Sequence, residues 1–205
     1  MKKIFIFLII YLIISQISLL QFVNSTYEIK NPNPNSFSYG KKQLIISTHD
    51  YEHIDIFIIL NEIIRQKYPV TIVFADHLWN YLLYYYLQFL GKFHIQFLFT
   101  TNGTVNKVSN LLQQNQTVII YSYRSNESTG IYHILRNTKS PIVICKITSD
   151  HEYTNLDQND CLLSIFLKNF GKHYFVEYSN FNYNYHLVSL KPKEFIKRIN
   201  DELYQ

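Results

Sequence analysis

Two histidines and two aspartates crowd into Ser47-Thr48-His49-Asp50-Tyr51-Glu52-His53-Ile54-Asp55, a polar turn between two apolar runs. A neutral imidazole takes a proton from a hydroxyl, and a nearby carboxylate fixes its tautomer and stabilises the imidazolium that forms. His49 and Asp55 are the candidate pair for general-base chemistry, with His53 as a second imidazole. The alternative is a hydrogen-bonded surface turn in which Asp50 or Asp55 caps the helix that follows. A second polar cluster, Tyr121-Ser122-Tyr123-Arg124-Ser125-Asn126-Glu127, also follows an apolar run directly. There Arg124 could hold a phosphate through a forked hydrogen-bond pair and Ser125 could add a neutral one; the alternative is a solvated loop.

Both clusters need elements to position them. Leu44-Ile45-Ile46 ahead of the first reads as a buried strand, and Ile54 to Ile64 behind it as an apolar helix. The same alternation continues along the chain. It predicts strands at 43–48, 69–75, 94–100, 117–123, 141–148 and 173–178, and helices at 54–66, 77–90, 105–113, 129–137, 160–170 and 192–204. The strands are short, apolar and β-branched, as strands covered on both faces of a parallel sheet are. The fold class is therefore α/β: a layered, open, mostly parallel sheet flanked by helices. Polar residues on strand-to-helix turns then stand at the carboxyl edge of the sheet, where such folds bind ligands.

Composition excludes several classes. The 205 residues fit one domain of ordinary size once the ends are set aside, and 47% hydrophobic against 17% charged residues describes a globular body. The net charge of +4 is spread along the chain with no Lys/Arg block, which argues against nucleic acid as a partner. His77, His94, His133, His151, His173 and His186 are scattered singly, without metal-ligand spacing, so no metal is expected. No phosphate loop of the Gly-x4-Gly-Lys kind occurs between Gly91 and Thr104, where turn-forming roles suffice. Nor is there a Gly-x-Ser-x-Gly elbow for a serine nucleophile. Cys145, inside an apolar strand, reads as a small core residue; a bond to Cys161 is the alternative in a lumenal domain.

The amino terminus carries its own signal. Met1-Lys2-Lys3 precedes an almost unbroken apolar run, Ile4 to Leu20, which reads as a secretory signal peptide or a short membrane anchor within residues 1–25. The run sits at the lower limit for a spanning helix, roughly 17 residues. Targeting to the membrane follows from either, and the expected location is membrane-associated, in the endoplasmic reticulum or secretory pathway. Residues 26–40, with Asn31-Pro32-Asn33-Pro34, read as a linker, and the folded domain occupies 41–205. Sequons begin at Asn24, Asn102, Asn115 and Asn126, and leave the side of the membrane open.

Taken in order, the segments 47–59, 70–76, 78–91, 118–125 and 140–147 resemble the glycerolipid acyltransferases of the lysophosphatidic acid acyltransferase type. That family has an apolar amino-terminal segment, then a strand leading into Asn-His-x4-Asp and an apolar helix. An aromatic helix ending in Leu-Gly, a strand leading to Phe-Pro-Glu-Gly-Thr-Arg-Ser and a Val-Pro-Ile-Val-like strand follow. Order and spacing agree, whereas the motifs diverge. With Asp55 in the aspartate position, Asp50 falls on the histidine position unless the turn holds one extra residue, which restores His49. Arg124-Ser125 matches the final Arg-Ser, without the proline, glutamate and glycine before it. The resemblance implies transfer of a fatty acyl group from acyl-CoA, as co-substrate, to a lysophospholipid or related alcohol at a membrane surface, without cofactor or metal. His49 would be the base, Asp55 its orienting partner, and Arg124 with Ser125 the phosphate contacts. Two other readings stand beside it: a catalytically inactive lipid-binding or scaffold relative, and a secreted α/β glycoprotein of unrelated function.

Overall fold

The computed structural model describes residues 27–30, 42–48, 53–66, 69–76, 78–122, 129–149, 172–182 and 189–204. In chain order these form strands β1 (Tyr27–Ile29) and β2 (Gln43–Thr48), helix α1 (His53–Gln66), β3 (Val70–Phe74), α2 (Leu78–Phe89) and β4 (Ile95–Phe99). Then come α3 (Thr104–Gln113), β5 (Thr117–Ser122), α4 (Gly130–Thr138), β6 (Ile142–Ser149), β7 (Tyr174–Phe181) and α5 (Pro192–Tyr204). The protein is α/β, with a mostly parallel, open seven-stranded sheet in the order β1-β7-β6-β2-β5-β3-β4, flanked by helices. Strands β6, β2, β5, β3 and β4 run parallel. β7 runs antiparallel to β6, and β1 lies parallel to β7 at the edge.

Every residue of β2 and of β3 is buried, which is why Leu44-Ile45-Ile46 and Ile72-Val73-Phe74 are continuous apolar runs rather than alternating segments. The two-residue period still sorts their side chains by face. Ile45, Ile72, Ile119, Val143 and Cys145 pack under α1 and α2. Leu44, Ile46, Val118, Ile142 and Ile144 pack under α3, α4 and α5. The five helices thus divide between the two faces, each presenting an apolar stripe; α5 buries Phe195, Ile196, Ile199 and Leu203.

From β2 through α1 to β3, and on through α2 to β4, the chain steps one way across the sheet with its helices on the first face. From β4 through α3 to β5, and on through α4 to β6, it steps back with its helices on the second face. Reversing both direction and face preserves one hand for all four crossovers, as the twist of parallel strands requires. The chain therefore leaves β2 for one face and leaves the adjacent β5 for the other. The adjacent ends of those two strands form a topological switch point.

Most expected elements fall within one residue of their observed bounds. β7 extends three residues further, to Phe181, because its antiparallel ladder with β6 runs from Tyr174↔Ser149 to Phe181↔Ile142. β1 lies inside the stretch read as a linker; three residues are too few to carry a period. Between Gly91 and Thr104 the chain forms two turns around β4. Gly91, at φ 71, follows α2 while the Lys92 N–H bonds to the Leu87 carbonyl, a cap that favours glycine. Thr104 Oγ1 accepts from the Thr101 N–H at 2.8 Å and donates to the Thr101 carbonyl at 2.7 Å, closing the turn before α3. The expected helix at 160–170 and the apolar amino-terminal run lie outside the described residues. Among those described, no helix is long and apolar enough to cross a membrane.

Ile119 is fully buried in β5, so Ile119→Ala is expected to cost about 2–5 kcal/mol through lost transfer energy and the cavity left behind. Phe89→Ala, at a position 84% exposed, should change stability by less than about 0.5 kcal/mol. Urea denaturation of both variants beside the parent measures the contrast.

Candidate active site

The site is built at the carboxyl ends of β2 and β5. The two strands are register partners throughout, and they end together at Thr48↔Ser122. Each end is pinned. Thr48 Oγ1 accepts the Ile147 N–H at 3.1 Å, taking the place of a ladder partner where β2 leaves the sheet. The Ser122 hydroxyl donates to Asn200 Oδ1 at 3.2 Å, and the Tyr204 hydroxyl donates to the Ser122 carbonyl. Both contacts come from α5, so the carboxyl-terminal helix fixes the point at which the chain departs from β5.

Of the four residues singled out by sequence, the described structure contains Asp55. His49, Arg124 and Ser125 lie outside the described residues. Their segments attach to adjacent strand ends, since 49–52 follows Thr48 and 123–128 follows Ser122. Asp55 occupies the first turn of α1 and is completely buried. The first-turn position favours a negative charge, because the free N–H groups and the helix dipole are directed at it.

Asp55 sits near a row of polar side chains that sequence reasoning did not find. Ser47 is the register partner of both Tyr121 and Cys145, and Cys145 is the partner of Tyr178. Register partners share a face, so Tyr121, Ser47, Cys145 and Tyr178 form one line across four strands on the side covered by α1. Burial pushes the Cys145 thiol up to about 12; hydrogen bonds from Ser47 and Tyr178 draw it back in part, and the charges of Asp55 and Glu62 push it further up. Burial likewise holds the Tyr121 phenol well above its ordinary value, with Cys145 and Asp55 adding to the effect. A thiol of this kind stays protonated at neutral pH and is no nucleophile.

Glu62, two helical turns after Asp55, is 4% exposed and accepts a 2.5 Å hydrogen bond from the Tyr27 hydroxyl of β1. The signal for these residues was present in the chain. Ser47 and Cys145 interrupt otherwise apolar strands, and Asp55 and Glu62 are seven apart on an apolar helix, a spacing that puts both on one face.

Cys145 carries a free, buried thiol, and Cys161 lies outside the described residues. Further along the same edge, the Tyr81 phenol is raised by its hydrogen bond to Asp76, and Asn80 Nδ2 donates to the Ala75 carbonyl at 2.9 Å. These contacts tie the start of α2 to the end of β3. Among the described residues, no three or more His, Cys, Asp or Glu side chains come together as a metal site. No protein-family model and no curated protein matches the chain.

Cys145 gives a test of this buried row. Because its folded pKa is raised, its contribution to stability is complete below about pH 9 and is lost as the pH rises towards 12. The slope it adds is at most about 1.4 kcal/mol per pH unit. Cys145→Ala should flatten the fall in unfolding free energy between pH 9 and 11, read by urea denaturation. The parent thiol should resist iodoacetamide at pH 8 until denaturant is added.

Proposed function

We propose that the chain is a membrane-associated acyltransferase-like protein, related to the glycerolipid acyltransferases and acting in the endoplasmic reticulum or secretory pathway. It transfers a fatty acyl group from acyl-CoA to a lysophospholipid or related alcohol. One observation carries this reading. The segment holding His49 and the segment holding Arg124 and Ser125 leave the sheet from adjacent strands that end in register at a switch point. That arrangement suits a base and a phosphate contact acting on one substrate.

In this mechanism His49 takes the proton of the acceptor hydroxyl as its oxygen attacks the thioester carbonyl. Asp55 orients the imidazole and stabilises its cation. The tetrahedral intermediate collapses with cleavage of the carbon–sulfur bond, and the proton passes to the departing CoA thiolate. Arg124 and Ser125 hold the acceptor phosphate. No metal and no covalent enzyme intermediate is needed. A positioned base supplies about 100- to 10,000-fold of such a rate, and alignment of the two substrates much of the rest.

The complete burial of Asp55 favours a second reading, a non-catalytic lipid-binding relative. A buried carboxylate whose charge acts on Tyr121 and Cys145 serves the core rather than a cleft. Release of free CoA and formation of acylated lipid distinguish the two. In the acyltransferase, His49→Ala lowers turnover by about 100- to 10,000-fold, and Asp55→Asn lowers it with the fold retained by circular dichroism. Parent protein that binds lysolipid yet releases no CoA across acyl-chain lengths selects the binding protein instead.

A further inference from the structure

β4 is the last strand of the sheet, and its outer side is only half closed. The Val70 N–H donates to the His94 carbonyl and the Thr100 N–H to the Phe74 carbonyl, so the even-numbered residues turn their backbone groups to β3. Those of Ile95, Phe97 and Phe99 point away from it. The chain satisfies Ile95 itself: its N–H donates to the Lys92 carbonyl at 3.0 Å, and its carbonyl accepts Gln88 Nε2 at 3.1 Å. The outward groups of Phe97 and Phe99 have no partner among the described residues. Nothing guards them. Ile95–Phe99 holds no charge, proline or bulge, whereas the opposite edge of the sheet is a three-residue strand followed by Lys30.

Apolar surface lines the same edge. α2 runs back along β4: Tyr81 stacks on Phe99 with ring centroids 3.9 Å apart, and Gln88 reaches Ile95. Tyr85 and Phe89 follow Tyr81 at four-residue steps on one stripe of the helix, 65% and 84% exposed, and Phe93 beyond it is 67% exposed. Neither α2 nor β4 contains a charged residue. The three exposed rings leave roughly 300–550 Å² open on each copy. Two copies closing over them, with Leu90 and the half-buried Phe97, Leu98 and Phe99 added, reach the roughly 1,000 Å² that a specific interface needs.

We infer that β4 pairs antiparallel with β4 of a second copy of this chain, about a two-fold axis at Leu98, with Phe97 of each copy opposite Phe99 of the other. Phe97 and Phe99 then form hydrogen-bonded pairs, and neither keeps an unmet outward group. The neighbouring registers that keep the side-chain faces fail. One places Phe99 opposite Ile95, and the other places Phe97 opposite Thr101, whose N–H and carbonyl are already held by Thr104. The axis stands perpendicular to the sheet, so α2 of both copies lies on one face and their uncharged Tyr85–Phe89 stripes meet. An unrelated extended peptide satisfies the strand but leaves that stripe, a layer above the sheet, uncovered. The pairing is independent of the acyltransferase reading.

Register-specific cross-linking tests it. The full chain is purified in mild detergent with Cys161→Ser, and Cys145 is left in place as a buried thiol. Across the axis the Leu98 Cα atoms stand about 4.5 Å apart, within disulfide range. Leu98→Cys should therefore give a disulfide-linked dimer on copper–phenanthroline oxidation. Gln96→Cys alone and Thr100→Cys alone should stay monomeric, because each lies about 14 Å from its own copy across the axis. The double variant, both positions exposed, should link, since 96 faces 100. Phe89 is exposed in the single chain, so Phe89→Arg should keep the fold by circular dichroism; at the seam it sets like charges together and should abolish the link at 98. Equal linking of all single variants overturns the inference, as does linking at 98 that survives Phe89→Arg. No link at 98 or in the double variant also overturns it. If a bimane on Tyr85→Cys then shifts to the blue on reconstitution into phosphatidylcholine vesicles, the face belongs to lipid instead.

Discussion

The pairing of β2 with β5 is the constraint on which the rest depends. Six register pairs, from Gln43↔Thr117 to Thr48↔Ser122, join two strands that are separated in sequence by three crossovers. Both strands are buried on both faces for most of their length, and a slip of one residue would move every side chain to the opposite face. Ile45 and Ile119 would leave the layer under α1, while Ser47 and Tyr121 would be driven among Val108, Leu112 and Ile134. Burying a hydroxyl without a partner costs roughly 1–3 kcal/mol on the scale of protein mutations, so several such losses would use up most of a domain's stability. The register is therefore strongly specified, and with it the alignment of the two strand ends.

The same register explains how α1 carries two carboxylates on a buried side. Taking an ion out of water costs several kcal/mol even after relaxation, whereas a helix amino terminus returns at most about 2 kcal/mol. The dipole alone cannot hold Asp55 where it is. Glu62 lies beyond the first turn and lacks even that help; its stabilisation comes from the short bond donated by Tyr27, and charged hydrogen bonds are worth roughly 1.5–3 kcal/mol. The polar row from Tyr121 to Tyr178 lies on the face that α1 covers, and the Asp55 charge acts on Tyr121 and Cys145 within it. One consequence is that β1, a strand of three residues, is fastened to the domain by a side chain of α1 as well as by its ladder with β7.

What the sequence made legible follows from these energies. Runs such as Leu44-Ile45-Ile46 and Val118-Ile119-Ile120 are strands because no other short element buries β-branched residues on both sides, so the alternating α/β pattern and its bounds could be read directly. Asp55 was legible as a polar residue where a turn meets a helix. Its burial was not, since a first-turn aspartate looks alike in a solvated cap and in a core. The row of Tyr121, Ser47, Cys145 and Tyr178 was hidden for a different reason. Each member belongs to a different strand, and only the spatial order β7-β6-β2-β5 makes them neighbours, a fact of pairing that no local window contains. The contacts of Asn200 and Tyr204 with Ser122 join residues about eighty positions apart and were equally invisible.

The strand order also fixes where β1 and α5 stand relative to the ends of β2 and β5. Had β7 continued the parallel set, its first residue would lie at the amino edge, and β1, parallel to it, would start there too. The single reversal between β6 and β7 instead carries the start of β1 to the edge where β2 and β5 end. α5, entering after β7 has returned to the amino edge at Phe181, runs back across the second face, and its last turns place Asn200 and Tyr204 on Ser122. The start of β1 and the last turns of α5 therefore stand at the same edge. Through Asn200 and Tyr204, a change in α5 acts on the end of β5 without touching the residues proposed for chemistry.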